Sequence, residues 1–305
     1  MRLTEAFFKL IRWPNLVFIA LTQALFYYCV YLPLYQRAEI PQLVLIIIAS
    51  VSIAAAGYII NDYFDLNIDK INKPDKNVIN SHINRRWAIA WHLTLSIAGV
   101  LATAVAVSMS KWYLVAANLL CVILLWLYST SFKRQFVIGN VVISLLTAWT
   151  VLILFFAQVS AHDAFNNNDA VTFKFFRVAF LYAGFAFIIS LIREAIKDIE
   201  DMNGDRQYGC NTMPIAAGIR ATKIYIAVWL VVLIASLIIL QLYILQFGWS
   251  IAILYSVLLV IIPLFYLFSQ LFKATTTKDF SRLSRITKMI MLTGILSMLF
   301  FRLYF

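Results

Sequence analysis

Residues 60–70 read Ile60-Asn61-Asp62-Tyr63-Phe64-Asp65-Leu66-Asn67-Ile68-Asp69-Lys70, "INDYFDLNIDK", and follow directly on "QLVLIIIASVSIAAAGYI" at 42–59, a run without a single charge. Three carboxylates therefore stand at the end of a segment suited to lipid. The apolar run has the length that crosses a hydrocarbon core of about 30 Å as helix, roughly 20 residues. Comparable runs near 14–35, 42–62, 87–109, 112–129, 137–158, 175–196, 222–246, 249–272 and 287–304 predict nine transmembrane helices. Composition agrees. The chain is 63% hydrophobic and 13% charged, whereas charged residues make up about a quarter of a soluble domain.

The first apolar run is too long for the core of a signal peptide and is not followed by a small-residue cleavage site, so it is expected to remain as a helix. Cys29 and Cys121 fall inside spans and Cys210 in a connection, which gives no disulfide framework and no C-x-x-C pair. His82, His92 and His162 lack zinc-ligand spacing. The net charge of +11 would suit nucleic acid, but its distribution marks membrane orientation instead. With the N-terminus in the cytoplasm, 20 of the 25 basic residues fall on the cytoplasmic side, as the positive-inside rule requires. Both acidic segments of the chain then face the cytoplasm.

The second acidic segment repeats the first. "DIEDMNGDR" places aspartates at 198, 201 and 205, where the first motif has them at 62, 65 and 69, the same intervals of three and four. Asn203 matches Asn67, and Arg206 follows the last aspartate as Lys70 does. On a continuous helix, positions i, i+3 and i+7 lie within an arc of about 60°, so each motif would present three carboxylates on one face. Such a cluster at membrane depth requires a watery cavity and a neutralising partner. Magnesium suits it, because this hard cation takes a few carboxylates and keeps positions for water and phosphate oxygens. An EF-hand calcium loop is excluded: Lys70 and Arg206 stand where glycine is required, and Lys76 and Thr212 where glutamate is required. Two acidic clusters with basic segments around them fit a diphosphate, and a diphosphate on an allylic hydrocarbon would explain the membrane setting.

These residues resemble the UbiA superfamily of intramembrane prenyltransferases. The resemblance is carried by Asn61-Asp62-x-x-Asp65-x-x-x-Asp69, by Asp198-x-x-Asp201-x-x-x-Asp205, by Arg12-Trp13-Pro14-Asn15, by Tyr128-Ser129 ahead of Lys133-Arg134, and by the stretch Gly204-Asp205-Arg206 to Asn211-Thr212-Met213-Pro214. It implies an all-α, nine-helix bundle of two halves around a central cavity. The whole of 1–305 would be one domain, with cytoplasmic loops 63–86 and 198–221 carrying the motifs. It implies Mg²⁺ on Asn61, Asp62, Asp65, Asp69, Asp198, Asp201 and Asp205, with Asp62, Asp65, Asp198, Asp201 and Asp205 central to catalysis. The diphosphate would be neutralised by Lys76, Lys133, Arg134 and Arg206, and Arg12, Asn15 and Tyr128 would contact substrate. The second motif is most similar to the branch that includes digeranylgeranylglyceryl phosphate and chlorophyll synthases.

One departure is visible: after the first motif many members read N-x-P-x-R-P, and this chain has Asn72-Lys73-Pro74-Asp75-Lys76-Asn77. Lys76 keeps the charge without the bidentate fork of arginine. The expected partners are a prenyl diphosphate and a lipophilic acceptor, geranylgeranylglyceryl phosphate or an aromatic quinone- or chlorophyll-type molecule; neither nucleic acid nor an obligate protein partner is expected. The alternative of another class is a cation or proton transporter, since intramembrane acids also mark ion paths.

Overall fold

The computed structural model describes residues 3–72, 79, 83–159 and 169–304. Among them, nine helices are long and apolar enough to cross a membrane: Trp13–Tyr35, Ile40–Phe64, Arg85–Ala106, Tyr113–Thr130, Ile138–Gln158, Ala170–Gln207, Gly218–Leu245, Ser250–Lys273 and Thr277–Tyr304. They are the first to ninth spans below. Their outer faces keep large apolar side chains exposed, Val105 and Ile239 among them, as a lipid-facing surface should.

Two spans organise the bundle. The second packs on the first, third and fourth, and the sixth on the fifth, seventh and ninth. One buried cluster (Leu10, Leu16, Ile59, Leu66, Ala88) knits spans one to three near the first aspartate motif. A second (Ile192, Ile196, Leu230, Leu267, Leu283) knits spans six to nine near the second. A third, around Tyr27, Leu114, Phe155 and Phe175, joins the halves at the end remote from the aspartates.

Local sequence explains the irregularities. The first span widens to a π-helix at Tyr27–Tyr31 and the eighth at Val257–Ile261. Pro33 and Pro263 follow each π segment by two residues, and each removes a backbone donor from the ladder and crowds the preceding turn. The ninth span begins ten residues before its apolar run, because Thr276 and Asp279 form a capping box that starts a helix at Thr277.

The expected motif loops need correction. Residues 198–207 are not a loop but the last turns of the 38-residue helix Ala170–Gln207. The chain leaves helical geometry only at Tyr208, and Gly209 takes a positive φ. The first motif divides: Asn61 to Phe64 complete the second span, Asp65 breaks the helix at φ −89° and ψ 0°, and Leu66–Asn72 resumes as a short helix.

Candidate active site

The break at Asp65 sends the carboxylates of the first motif in different directions. Asp62 turns to the segment before the first span, where Arg12 Nη2 donates to Asp62 Oδ1 at 2.6 Å. Arg12 itself sits at φ 52°, a left-handed conformation that a non-glycine residue keeps only where its surroundings hold it. Its guanidinium lies 5.1 Å from the centre of the Tyr58 ring, and the Asp62 charge holds its pKa above the ordinary arginine range, against the opposing effect of burial. Asp65 and Asp69 line the large cavity at the centre of the bundle.

That cavity, about 340 Å³ in volume, receives Asn61, Asp65 and Asp69 from one side and Asp198, Asp201 and Asp205 from the sixth span. Five of the six motif aspartates thus meet around one space. Asp198 Oδ2 accepts from Asn140 Nδ2 of the fifth span at 2.9 Å, and Lys133 Nζ donates to Asp65 Oδ1. Lys133 is placed by its backbone: the turn Phe132–Arg134 lies so close to Gly139 that a Cβ there would stand 2.9 Å from Lys133 Cα. The fold also holds Val137 at φ 61° in the same connection, an outlier for a β-branched residue.

Asn72 ties the two motifs together. Its Nδ2 donates to the Asp201 carbonyl at 2.8 Å, and its Oδ1 accepts from Gly204 N at 2.8 Å. A Cβ on Gly204 would meet the Asn72 amide at 2.6 Å, so only glycine admits this approach.

Other expected site residues divide. Arg12, Asn15, Tyr128 and Lys133 line the cavity. Asp62 is turned to Arg12, while Arg134 and Arg206 are exposed and outside the lining. The Arg134 carbonyl accepts from Asn211 N at 2.7 Å, which joins the two basic connections, and Arg206 extends along its own helix with Nη2 3.8 Å from Met202 Sδ. Lys76 lies outside the described residues. The sequence did not single out Asn72, Asn140, Arg193, Glu194 or Lys288. A helical projection from Asp198 would have found Glu194 one turn earlier, on the carboxylate face. Asn140 was visible as a polar residue in an apolar run, without a sign of its partner.

The residues fit a hard cation. Asn61 Oδ1 is buried beside the carboxylates with no hydrogen-bond partner, an acceptor whose desolvation nothing here offsets. Among the described residues no three His, Cys, Asp or Glu side chains form a metal cage by themselves. Asp65 and Asp69 on one wall and Asp198, Asp201 and Asp205 on the other are the oxygen donors such an ion takes, with water and phosphate oxygens to complete its shell. Away from the acids the side-chain N–H donors are paired, although Gln23 Oε1 is buried without a partner. Gln23 Nε2 donates to Ser50 Oγ at 2.8 Å and to the Thr150 carbonyl at 2.9 Å, and Trp149 Nε1 donates to Asn118 Oδ1 at 2.9 Å. With those donors consumed, Ile53, Leu125, Ile143 and Phe185 leave the deeper walls apolar.

The molecule is an integral, multi-pass membrane protein with a cavity that is acidic at one end and apolar at the other. Residues 16–293 match the UbiA prenyltransferase family. The digeranylgeranylglyceryl phosphate synthase of Sulfurisphaera tokodaii is 30% identical over 232 residues, 76% of this chain and 77% of that protein. That of Haloquadratum walsbyi is 35% identical over 191 residues, 62% of this chain and 61% of that protein. A UbiA homolog from Archaeoglobus fulgidus, solved with GPP and Mg²⁺, superposes with a TM-score of 0.59 at 15% identity over 96% of this chain and 99% of its own, a likeness of fold. The chain belongs to the UbiA prenyltransferase family, and with that the transporter alternative falls away.

Proposed function

We propose that this protein transfers a prenyl group from a prenyl diphosphate to geranylgeranylglyceryl phosphate, with Mg²⁺ held between its two aspartate motifs. The observation that carries this is the convergence of five motif aspartates from two halves of the bundle on one cavity with apolar walls beyond. The relatives reported above, digeranylgeranylglyceryl phosphate synthases by name, support the choice of acceptor.

Asp65 and Asp69 on one wall and Asp198, Asp201 and Asp205 on the other, with Asn61 Oδ1, would hold the metal. When bound, the metal supplies positive charge against the diphosphate as the allylic C–O bond breaks. Lys133 supplies further charge at the same place, its backbone held by the Gly139 contact and its ammonium already beside Asp65. Tyr128 lies beside the acids and packs against the substrate. The apolar walls take the isoprenoid tail and keep water from the allylic centre. Bond changes balance simply: the allylic carbon loses diphosphate with its electron pair, gains the acceptor oxygen, and the hydroxyl proton leaves to solvent.

With Arg193 and Lys288 set aside as cavity residues, the remaining basic residues still divide 18 to 5, which supports a cytoplasmic N-terminus with the aspartate end on the same side. The test is turnover by the purified protein in nanodiscs with Mg²⁺ and geranylgeranyl diphosphate, offered either geranylgeranylglyceryl phosphate or 4-hydroxybenzoate. The expected result is a lipid heavier by one geranylgeranyl unit, with diphosphate released in equal amount, from the glyceryl acceptor. A prenylated product from the aromatic acid alone would overturn the acceptor assignment.

A further inference from the structure

Two cations on the cavity wall take no part in the aspartate clusters. Lys288 projects from the ninth span, and its Nζ donates to Asn15 Oδ1 at 2.7 Å and lies 5.0 Å from the centre of the Phe18 ring. Both partners are neutral. Arg193 of the sixth span lines the same cavity and stands close enough for the two charges to repel. Its Nη1 donates to Glu194 Oε1 at 2.7 Å. The next cation along the sixth span, Lys197, acts on Asp198. Glu194 thus balances Arg193, whereas the contacts of Lys288 among the described residues are the neutral Asn15 and Phe18, and an unbalanced charge inside membrane-spanning helices is costly and marks a ligand. The patch is one negative charge short.

What lies beside the patch defines the shape of the missing partner. Lys288, Met291, Ile295 and Met298 all line the cavity, and their spacing puts them on one face of the ninth span over about 15 Å. Asn15, Phe18, Ile19 and Thr22 make the corresponding stripe on the first span. Between them runs a trough with cations at its head and apolar side chains along its body. It matches an amphiphile with an anionic head and a hydrocarbon tail. Lys133 and Asp65, which serve the other motif end, are not part of it.

We propose that Arg193 and Lys288 form the head-group site of the acceptor and take the phosphate monoester of an isoprenoid glyceryl lipid, leaving the aspartate clusters and Lys133 to the prenyl diphosphate. Donors converge from two helices, and a phosphate monoester offers three oxygens and up to two charges to meet them. The identity of the lipid rests on the prenyl-transfer reading above. The site itself rests on the unbalanced charge of Lys288 and the trough.

The test compares the parent with Lys288→Gln and Lys288→Arg, each first shown to be monodisperse with the parental melting temperature. Lys288→Gln should raise the KM for geranylgeranylglyceryl phosphate ten- to hundredfold, the value of about one charge-assisted hydrogen bond. It should leave the KM for geranylgeranyl diphosphate within about twofold. The parental preference for the phosphorylated acceptor over geranylgeranylglycerol should collapse in Lys288→Gln and return in Lys288→Arg. Unchanged selectivity, or equal loss for both substrates, overturns the head-group site while prenyl transfer stands. Binding of geranylgeranylglyceryl phosphate alone, without Mg²⁺ or prenyl diphosphate, is measured in parallel. If the parent turns over no glyceryl ether phosphate, the functional reading fails. The head-group site then survives only if this lipid still binds the parent at least tenfold more tightly than it binds Lys288→Gln.

Discussion

Replacing Gly204 by alanine should have opposite effects on stability in two backgrounds, and the reason is one side chain. The new Cβ would stand 2.6 Å from both Nδ2 and Oδ1 of Asn72 and 2.7 Å from its Cγ, well inside van der Waals contact, so Asn72 must withdraw. Withdrawal breaks its bonds to the Asp201 carbonyl and from Gly204 N, both 2.8 Å long. At about 0.5 to 1.5 kcal/mol each, the loss is about 1 to 3 kcal/mol. Alanine in a helix interior returns about 1 kcal/mol relative to glycine, so Gly204→Ala should destabilise the parent by up to about 2 kcal/mol. In an Asn72→Ala background there is nothing to displace, and the same substitution should stabilise by about 1 kcal/mol. Activity should fall in either single variant, because Asp69 on the short helix Leu66–Asn72 loses its anchor to the second motif. Thermal unfolding in detergent, run as a double-mutant cycle, checks this. An effect of the same sign and size in both backgrounds would refute the clamp.

Two further outcomes follow from the cavity. Lys133 neutralises Asp65 without a ligand, so Lys133→Gln should lower the melting temperature in the absence of metal and enlarge the thermal shift produced by Mg²⁺; a shift equal to the parent's would mean that the cation and the metal do not share that carboxylate. Burial, reinforced by the charge of Asp205, pushes the Cys210 thiol up, so it stays protonated at neutral pH and should react slowly with maleimide, faster as pH rises past the ordinary thiol range. Mg²⁺ with a prenyl diphosphate analogue should slow it further, since Cys210 lines the same cavity, and Cys210→Ser reports the background from buried Cys29 and Cys121.

The nine spans are legible because lipid imposes a length and an apolar composition that few other structures need, and the repeated aspartate spacing by itself points to a shared site. Its boundaries are less legible. The second motif is polar enough to be taken for a loop, yet packing of Ile196 and Ile199 against the second half of the bundle keeps it helical through Gln207. The divergence of Asp62 from Asp65 depends on a single break at ψ near zero, for which a spacing argument has no signal. Lys288 stands at the edge of the apolar run at 287–304, and only the capping box at Thr276 reveals that the ninth span begins earlier and carries that lysine to the cavity. Asn72 stood in view as part of a departing family pattern, but its bond to a helix 129 positions away is a tertiary fact.

Affinity for a non-hydrolysable geranylgeranyl diphosphate analogue tests the two-motif site most directly, measured with and without Mg²⁺ in the parent, Asp65→Ala and Asp201→Ala, each confirmed as folded in detergent. One lost charge-assisted contact is worth about 1.5 to 3 kcal/mol, so each variant should bind at least tenfold more weakly than the parent, and chelation of Mg²⁺ should weaken the parent by more than either substitution. Parental affinity in either variant, or affinity indifferent to Mg²⁺, would contradict a diphosphate held between the two aspartate motifs.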